Sequence, residues 1–350
     1  MSLSRRGRWE LRIVAGVNLV SAPVSAIFGM LTTPADSSVL LSALVGIVTS
    51  FLIATPVVLF EIRSSRPGRL RRLRRLPLAL YFALKVLVYF VIIISGLVLV
   101  RLLFMPWMTH RAFGDGLFEG SLAFAVGMSV VGNLGFEMGR LLGFGTLRNF
   151  VTGRYVQPRT ERRTFLLIDM KDSTGVAERL GPVRFHELLN TFFRDITDAA
   201  LECEAEIHKY VGDEAILTWS GDAGLDDGDV LNCPFVARDL IAANREQYRR
   251  RFGVEPTFRA ALHHGDIVAG EMGDLRREIA FVGDTLNVAA RLLDSAKTLG
   301  HDVLVSADLL ARAGLPPGLR SLPLPTLAVR GRGAPLEIAA LERPLAASVP

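Results

Sequence analysis

The chain is 350 residues long and half of them are apolar, with a formal net charge of +5 from 40 Lys and Arg against 35 Asp and Glu. A mean hydropathy of +0.35 is high for a water-soluble protein, and the excess lies before residue 140, which excludes a single soluble domain. The surplus charge is arginine beside that apolar half, so no nucleic-acid partner is expected, and the two cysteines, Cys203 and Cys233, lack metal-ligand spacing and are expected as free thiols.

Four apolar spans come first, at about 13–31, 38–60, 84–104 and 118–136, each near the ~20 residues that cross a bilayer. Arg5, Arg6 and Arg8 precede the first like the start of a signal peptide, but three further spans argue that it stays as an anchor. The fourth is rich in Gly and Ser and carries Asn133; small residues are what helix packing in lipid uses. The connection 61–77 holds Arg63, Arg66, Arg69, Arg71, Arg72, Arg74 and Arg75, whereas those at 32–37 and 105–117 hold Arg111 alone. Positive loops stay inside. The N-terminus and everything from 137 onward are thereby placed in the cytoplasm, in a multi-pass protein of the cell (inner) membrane. Lys85 is expected to snorkel from the cytoplasmic end of the third span, with no functional role. Residues 1–136 read as a membrane domain. Residues 137–163, with Gly143, Gly145, Gly153 and Pro158, read as a coupling linker made of a short helix and a turn.

The chemistry follows. Phe165–Met170 is an apolar run between Glu161-Arg-Arg163 and Lys171-Asp-Ser-Thr174, a buried strand whose end carries Asp169. A helix to about Leu180, a stop at Gly181 and a new helix from Pro182 are expected. This second helix runs to Glu202, with Phe185, Leu188, Leu189, Phe192 and Ile196 on one stripe. Glu206–Val211 and Glu214–Trp219 read as a hairpin with Gly212-Asp213 at its tip. Beside the first strand, that tip would bring Asp213 and Asp169 to one sheet edge, and Mg²⁺ prefers one or two carboxylates plus substrate phosphates. An acidic loop at 221–229 and a helix from Val236 to Tyr248 come next. Further on, Glu278–Val282 is a strand broken by Gly283, and Asp284 or Thr285 caps a helix on which Asn287 and Arg291 share a face. An amide and a guanidinium together suit a sugar and a phosphorus centre that gains negative charge. His208, His263 and His264 are expected as strand residues rather than bases. Helices on one face of a mainly antiparallel sheet give an α+β class.

These residues resemble the class III nucleotidyl cyclases over about 149–342. The resemblance rests on Asn149-Phe-Val-Thr-Gly-Arg-Tyr155, the Asp169-Met170 strand end, Lys209-x-x-Gly-Asp213, Phe258–Gly265 with Val268-Ala-Gly270, and Gly283–Arg291. It implies a ferredoxin-like catalytic domain at 164–342 with a tail at 343–350. It also implies two Mg²⁺ (or Mn²⁺) on Asp169, Asp213 and the Met170 carbonyl, ribose oriented by Asn287, and a transition state stabilised by Arg291. Arg330 or Arg332 matches a site that touches the triphosphate. Lys209 matches the purine-reading lysine; its usual Asp or Thr partner is replaced by Ala280, whose methyl group makes no hydrogen bond. The implied reaction turns ATP into 3′,5′-cyclic AMP and pyrophosphate by attack of the ribose 3′-oxygen on the α-phosphorus, in a homodimer with composite sites. A guanylate or relaxed-specificity cyclase is the alternative that Ala280 keeps open. A non-enzymatic receptor or scaffold is disfavoured, since Asp169, Asp213, Asn287 and Arg291 are all present.

Overall fold

The computed structural model describes residues 5–33, 38–64, 78–104, 115–275, 277–328 and 335–344. It divides into two compact units, Met1–Leu141 and Leu142–Pro350.

The first unit holds α1 (Arg5–Leu31), α2 (Val39–Ser64), α3 (Leu78–Phe104) and α4 (Asp115–Leu142). Within them Glu10–Leu31, Val39–Arg63, Ala83–Phe104 and Phe118–Gly139 are long and apolar enough to cross a membrane. Glycine lets α1 and α2 close on each other: a Cβ at Gly29 would lie 2.3 Å from the Ser42 carbonyl oxygen, and one at Gly46 2.2 Å from that of Ser25. Asn18 Nδ2 donates to Thr55 Oγ1 at 3.0 Å across the same pair. Ile53, Ile93, Leu97 and Ala125 form a buried cluster from α2, α3 and α4.

Lys85 does not snorkel. It is 2% exposed, 2.7 Å from Glu61 and 3.2 Å from Glu137, and it donates to Asn133 Oδ1 at 3.5 Å. Tyr89 donates to Glu61. Carboxylates from α2 and α4 give the ammonium partners inside the bundle, which removes the reason to reach for water. The arginines from 66 to 75 and Arg111, on which the loop-charge argument rests, lie outside the described residues apart from Arg63.

In the second unit, Gly143 (φ +88°) separates α4 from the short α5 (Phe144–Val151), and a turn leads to β1 (Arg159–Met170). β1 starts inside the stretch expected as linker because Arg159 and Thr160 pair with Ala269 and Val268. Then come α6 (Ser173–Leu180), α7 (Pro182–Glu202), β2 (Glu206–Val211), β3 (Glu214–Ser220), α8 (Asp229–Ala243), α9 (Arg245–Phe252) and β4 (Phe258–Met272). The remainder is β5 (Glu278–Val282), α10 (Asp284–Leu299), β6 (Val303–Ser306), α11 (Ala307–Ala313), β7 (Arg320–Leu327) and β8 (Leu336–Glu342).

The sheet order is β2-β3-β1-β4-β6-β8-β7, with β5 paired to β4. All pairings are antiparallel except β4 with β6. β1 faces two ways. Leu166, Ile168 and Met170 pack with α7, α8, α9 and α11 on one side, while Phe165 and Leu167 pack with α10 on the other. The helices therefore cover both faces rather than one, within the expected α+β class. Leu188, Phe192 and Ile196 of the α7 stripe are fully buried, each worth about 1.5–3 kcal/mol of transfer free energy.

The helix expected from Val236 to Tyr248 is split at Asn244. The Asn244 amide donates to Asp195 Oδ1 at 2.9 Å, and Tyr248 Oη donates to Asp195 Oδ2 at 2.6 Å. A tertiary carboxylate thus pins the junction of α8 and α9. Cys203 and Cys233 are buried free thiols.

Candidate active site

Asp169 ends β1 as the strand runs out of its apolar segment, and β3 and β4 flank it there. In register, Asp169 is opposite Glu214 of β3 and Arg259 of β4. The β2–β3 hairpin turns through Gly212, whose φ of +61° suits glycine, and this sets Asp213 beside the end of β1.

Asp169 and Asp213 meet there: burial, and after it the neighbouring Asp213 carboxyl, push Asp169 up to about 6. Glu214 rises to about 7, first through burial and then through Asp169 and Asp213. Arg259 pulls Asp169 the other way. Crowded carboxyls that keep protons near neutrality are what a divalent cation replaces favourably, so Asp169 and Asp213 fit a metal. Met170, whose carbonyl completes the expected set, is the buried last residue of β1. Among the described residues no group of three or more His, Cys, Asp or Glu could hold an ion unaided. Substrate phosphate oxygens would have to complete the shell.

Asn287 and Arg291 lie on the outer side of α10, whose opposite side buries Val288, Ala289, Leu292 and Leu293. α10 is set by its first turn. Thr285 Oγ1 donates to the Asp266 carbonyl at 2.7 Å, and a Cβ at Gly265 would come within 2.6 Å of that same hydroxyl. Thr285 thus serves as a clamp onto β4, and the helix has no side-chain N-cap at Gly283. Among the described residues no ion pair or hydrogen bond joins the Asn287 or Arg291 side chain to the carboxylate pair. Asp294, one turn beyond Arg291, does act on Asp169 and Glu214 electrostatically.

Lys209 is exposed on β2, and Ala280 lies opposite Gly270 on β5. Arg330 and Arg332 fall outside the described residues. The histidines are structural. His263 Nδ1 and Ser306 Oγ are 2.8 Å apart, His264 Nδ1 and Thr164 Oγ1 2.9 Å, and both rings are buried. Arg259 and Glu214 escaped the reading of the sequence. Strand register brings both to Asp169, and the signal for Arg259 was its place at the start of the Phe258–Gly265 motif.

Residues 155–318 match the adenylate and guanylate cyclase catalytic domain family. The chain is also 32% identical over 301 residues to adenylate cyclase 2 of Rhizobium meliloti, covering 85% of this chain and 83% of that protein. The chain belongs to the class III nucleotidyl cyclases. This cyclase is further similar to the adenylate cyclase of Anabaena cylindrica, 26% identical over 166 residues, spanning 45% of the chain and 32% of that longer protein. A solved bacterial light-regulated adenylyl cyclase shares the fold at 16% identity, with a TM-score of 0.51 over 63% of the chain and 64% of that structure. As a nucleotidyl cyclase the chain is an enzyme, and its four long apolar helices precede a mixed α+β cyclase domain.

Proposed function

We propose that this cyclase is a membrane-bound adenylate cyclase that converts ATP to 3′,5′-cyclic AMP and pyrophosphate. The observation that carries the reading is the meeting of Asp169 and Asp213 at one sheet edge, with Arg259 opposite Asp169 in register. Asp169, Asp213 and the Met170 carbonyl would hold two Mg²⁺ (or Mn²⁺), which when bound acidify the ribose 3′-hydroxyl and neutralise the triphosphate. Arg259, next to the carboxylates, adds a fixed positive charge toward the polyphosphate, a task shared with Arg330 or Arg332. Asn287 orients the ribose for in-line attack on the α-phosphorus, and Arg291 stabilises the charge that develops there as pyrophosphate leaves.

Among the described residues Asn287 and Arg291 make no hydrogen bond or ion pair to Asp169 or Asp213 of their own chain. This supports a homodimer in which one subunit supplies the aspartates and the other the amide and guanidinium. Lys209 donates to a ring nitrogen of the purine. Adenine is favoured by that lysine and by the name of the Rhizobium meliloti relative. GTP is the second reading, kept by Ala280, which cannot form the partner hydrogen bond. The basic 61–77 connection supports a cytoplasmic catalytic unit in the cell (inner) membrane, where ATP is available.

The test is to supply the full chain in membranes with ATP or GTP, with Mg²⁺ or Mn²⁺, and to identify the product. Cyclic AMP is expected from ATP, and Asp213→Ala should bring turnover to background. No cyclic nucleotide from either substrate, or full activity of Asp213→Ala, would overturn the reading.

A further inference from the structure

Lys209 and Ala280 sit on strands that no ladder joins. β2 is the outer strand of the sheet, with β3 and β1 between it and β4, and β5 hangs on the far half of β4. If both positions line one purine pocket, something other than backbone hydrogen bonding has to fix their separation. Two features of the chain meet this need.

The first is a bulge. In the β2–β3 ladder Ile207 is opposite Leu217 and Lys209 is opposite Ile216, so His208 is an extra residue in β2 immediately before Lys209. Bulges re-aim the neighbouring side chain, and they need an anchor because the extra residue has no ladder partner. The second feature is that anchor. The His208 ring packs against Phe281 in a tilted stack, with centroids 4.5 Å apart and planes 33° from parallel, and Phe281 immediately follows Ala280. Burial, with Lys209 and Arg163 nearby, holds His208 down to about 4, so the ring is neutral at physiological pH and stacks as an uncharged aromatic.

Phe281 is itself held by further contacts. The Arg163 guanidinium lies 4.5 Å from its ring centroid, and Phe165 meets it edge-on at 5.7 Å. Arg163 is fixed in turn. It donates to Glu161 at 2.6 Å, to Tyr155 Oη at 3.0 Å and to Glu206, the first residue of β2, at 3.3 Å. One cation thus ties the start of β2 to the ring on which the β2 bulge rests.

We propose that His208 and Phe281 are positioning residues for purine recognition, their stack setting the distance between Lys209 and the pocket wall at Ala280. This inference rests on the reading of Lys209 as the purine-binding lysine. Because Ala280 offers no polar group, discrimination between adenine and guanine depends on where Lys209 is held. The stack therefore governs substrate affinity and base preference, while the rate at saturation is set by the carboxylates, Asn287 and Arg291.

Steady-state kinetics of the full chain with ATP and GTP, for wild type, His208→Ala, His208→Leu, His208→Phe and Lys209→Ala, test this. His208→Ala and His208→Leu are expected to raise KM for the preferred nucleotide about tenfold and to narrow the ATP-to-GTP preference. Their kcat should fall far less, and His208→Phe, which keeps an aromatic face, should restore both quantities. Should His208→Ala fail to fold, His208→Leu fills the space without a ring. A drop in kcat with KM and preference unchanged, or failure of a folded His208→Phe to restore them, would overturn the proposal. If Lys209→Ala raises KM strongly while the His208 variants do nothing, the stack is dispensable and the lysine reading survives. If Lys209→Ala changes neither KM nor preference, the lysine reading falls and takes the stack with it.

Discussion

Among the described residues each unit buries a cation among carboxylates, Lys85 in one and Arg163 in the other, and the two are built on opposite plans. In the helical unit Lys85 reaches Glu61 on α2 and Glu137 on α4 from its own place on α3, so a compact ammonium joins three helices at one point. In the catalytic unit Arg163 uses a planar fork. Its nearest partner is Glu161 of the same strand, with Glu206 and Tyr155 beyond, and its face lies against Phe281. Lysine serves where charges from several directions converge on a point, and arginine where donors and a flat surface are both used. The surroundings differ as well: the Glu206 side chain is 41% exposed, whereas Glu61 is buried as deeply as Lys85. The carboxylates around Lys85 are 2% and 29% exposed and those around Arg163 10% and 41%, so the first cluster is the more enclosed of the two.

The contrast can be broken at either cation. Lys85→Met takes the cation from the buried Glu61 carboxylate and is expected to cost about 3–5 kcal/mol, seen as a lowered unfolding temperature of the detergent-purified full chain. Adding Glu61→Gln should recover part of that loss. A Lys85→Met protein as stable as wild type would mean that the cation does not hold the helices together. Arg163→Met should cost less, about 1–3 kcal/mol, because Glu206 can turn to solvent, with Arg163→Lys between the two since it keeps charge but loses fork and stacking. Equal losses at Lys85 and Arg163 would erase the distinction.

A smaller effect separates the stack from its cation. His208 sits near 4 in the folded chain against 6.5 ordinarily, so on acidification the unfolded state takes up its proton first. Its contribution to stability is whole above pH 6.5 and is lost as pH falls toward 4. Denaturant unfolding at pH 7 and pH 5 should show this slope in wild type and a shallower one in His208→Phe. The same slope in both would place the acid sensitivity elsewhere.

Much of this was legible in the chain itself, where local pattern decides structure. The apolar runs announced the four long helices, and Gly212-Asp213 between two alternating segments announced the hairpin that delivers Asp213. What escaped depends on contacts distant in sequence. Lys85 read as a solvent-seeking charge because Glu61 and Glu137 are 24 and 52 positions away. Arg163 read as the polar flank of a strand, yet it is 1% exposed; periodicity treats every guanidinium as surface. The break at Asn244 has no strong local signal, because the residue that fixes it is Asp195 on another helix. Asp169 stands out in the sequence by its strand end, but its flanking by Glu214 and Arg259 follows from register alone, which a single strand does not encode.

The contact between Gly265 and Thr285 reaches beyond the two residues that make it. α10 lies where it does because position 265 carries no side chain, and the Thr285 hydroxyl fills the space that one would need. Asn287 and Arg291 ride on that helix, so neither position can drift by itself without moving them. The two positions thus act as one mechanical part: a side chain at 265 would push on the Thr285 hydroxyl 2.6 Å away and, through it, on the helix that carries Asn287 and Arg291.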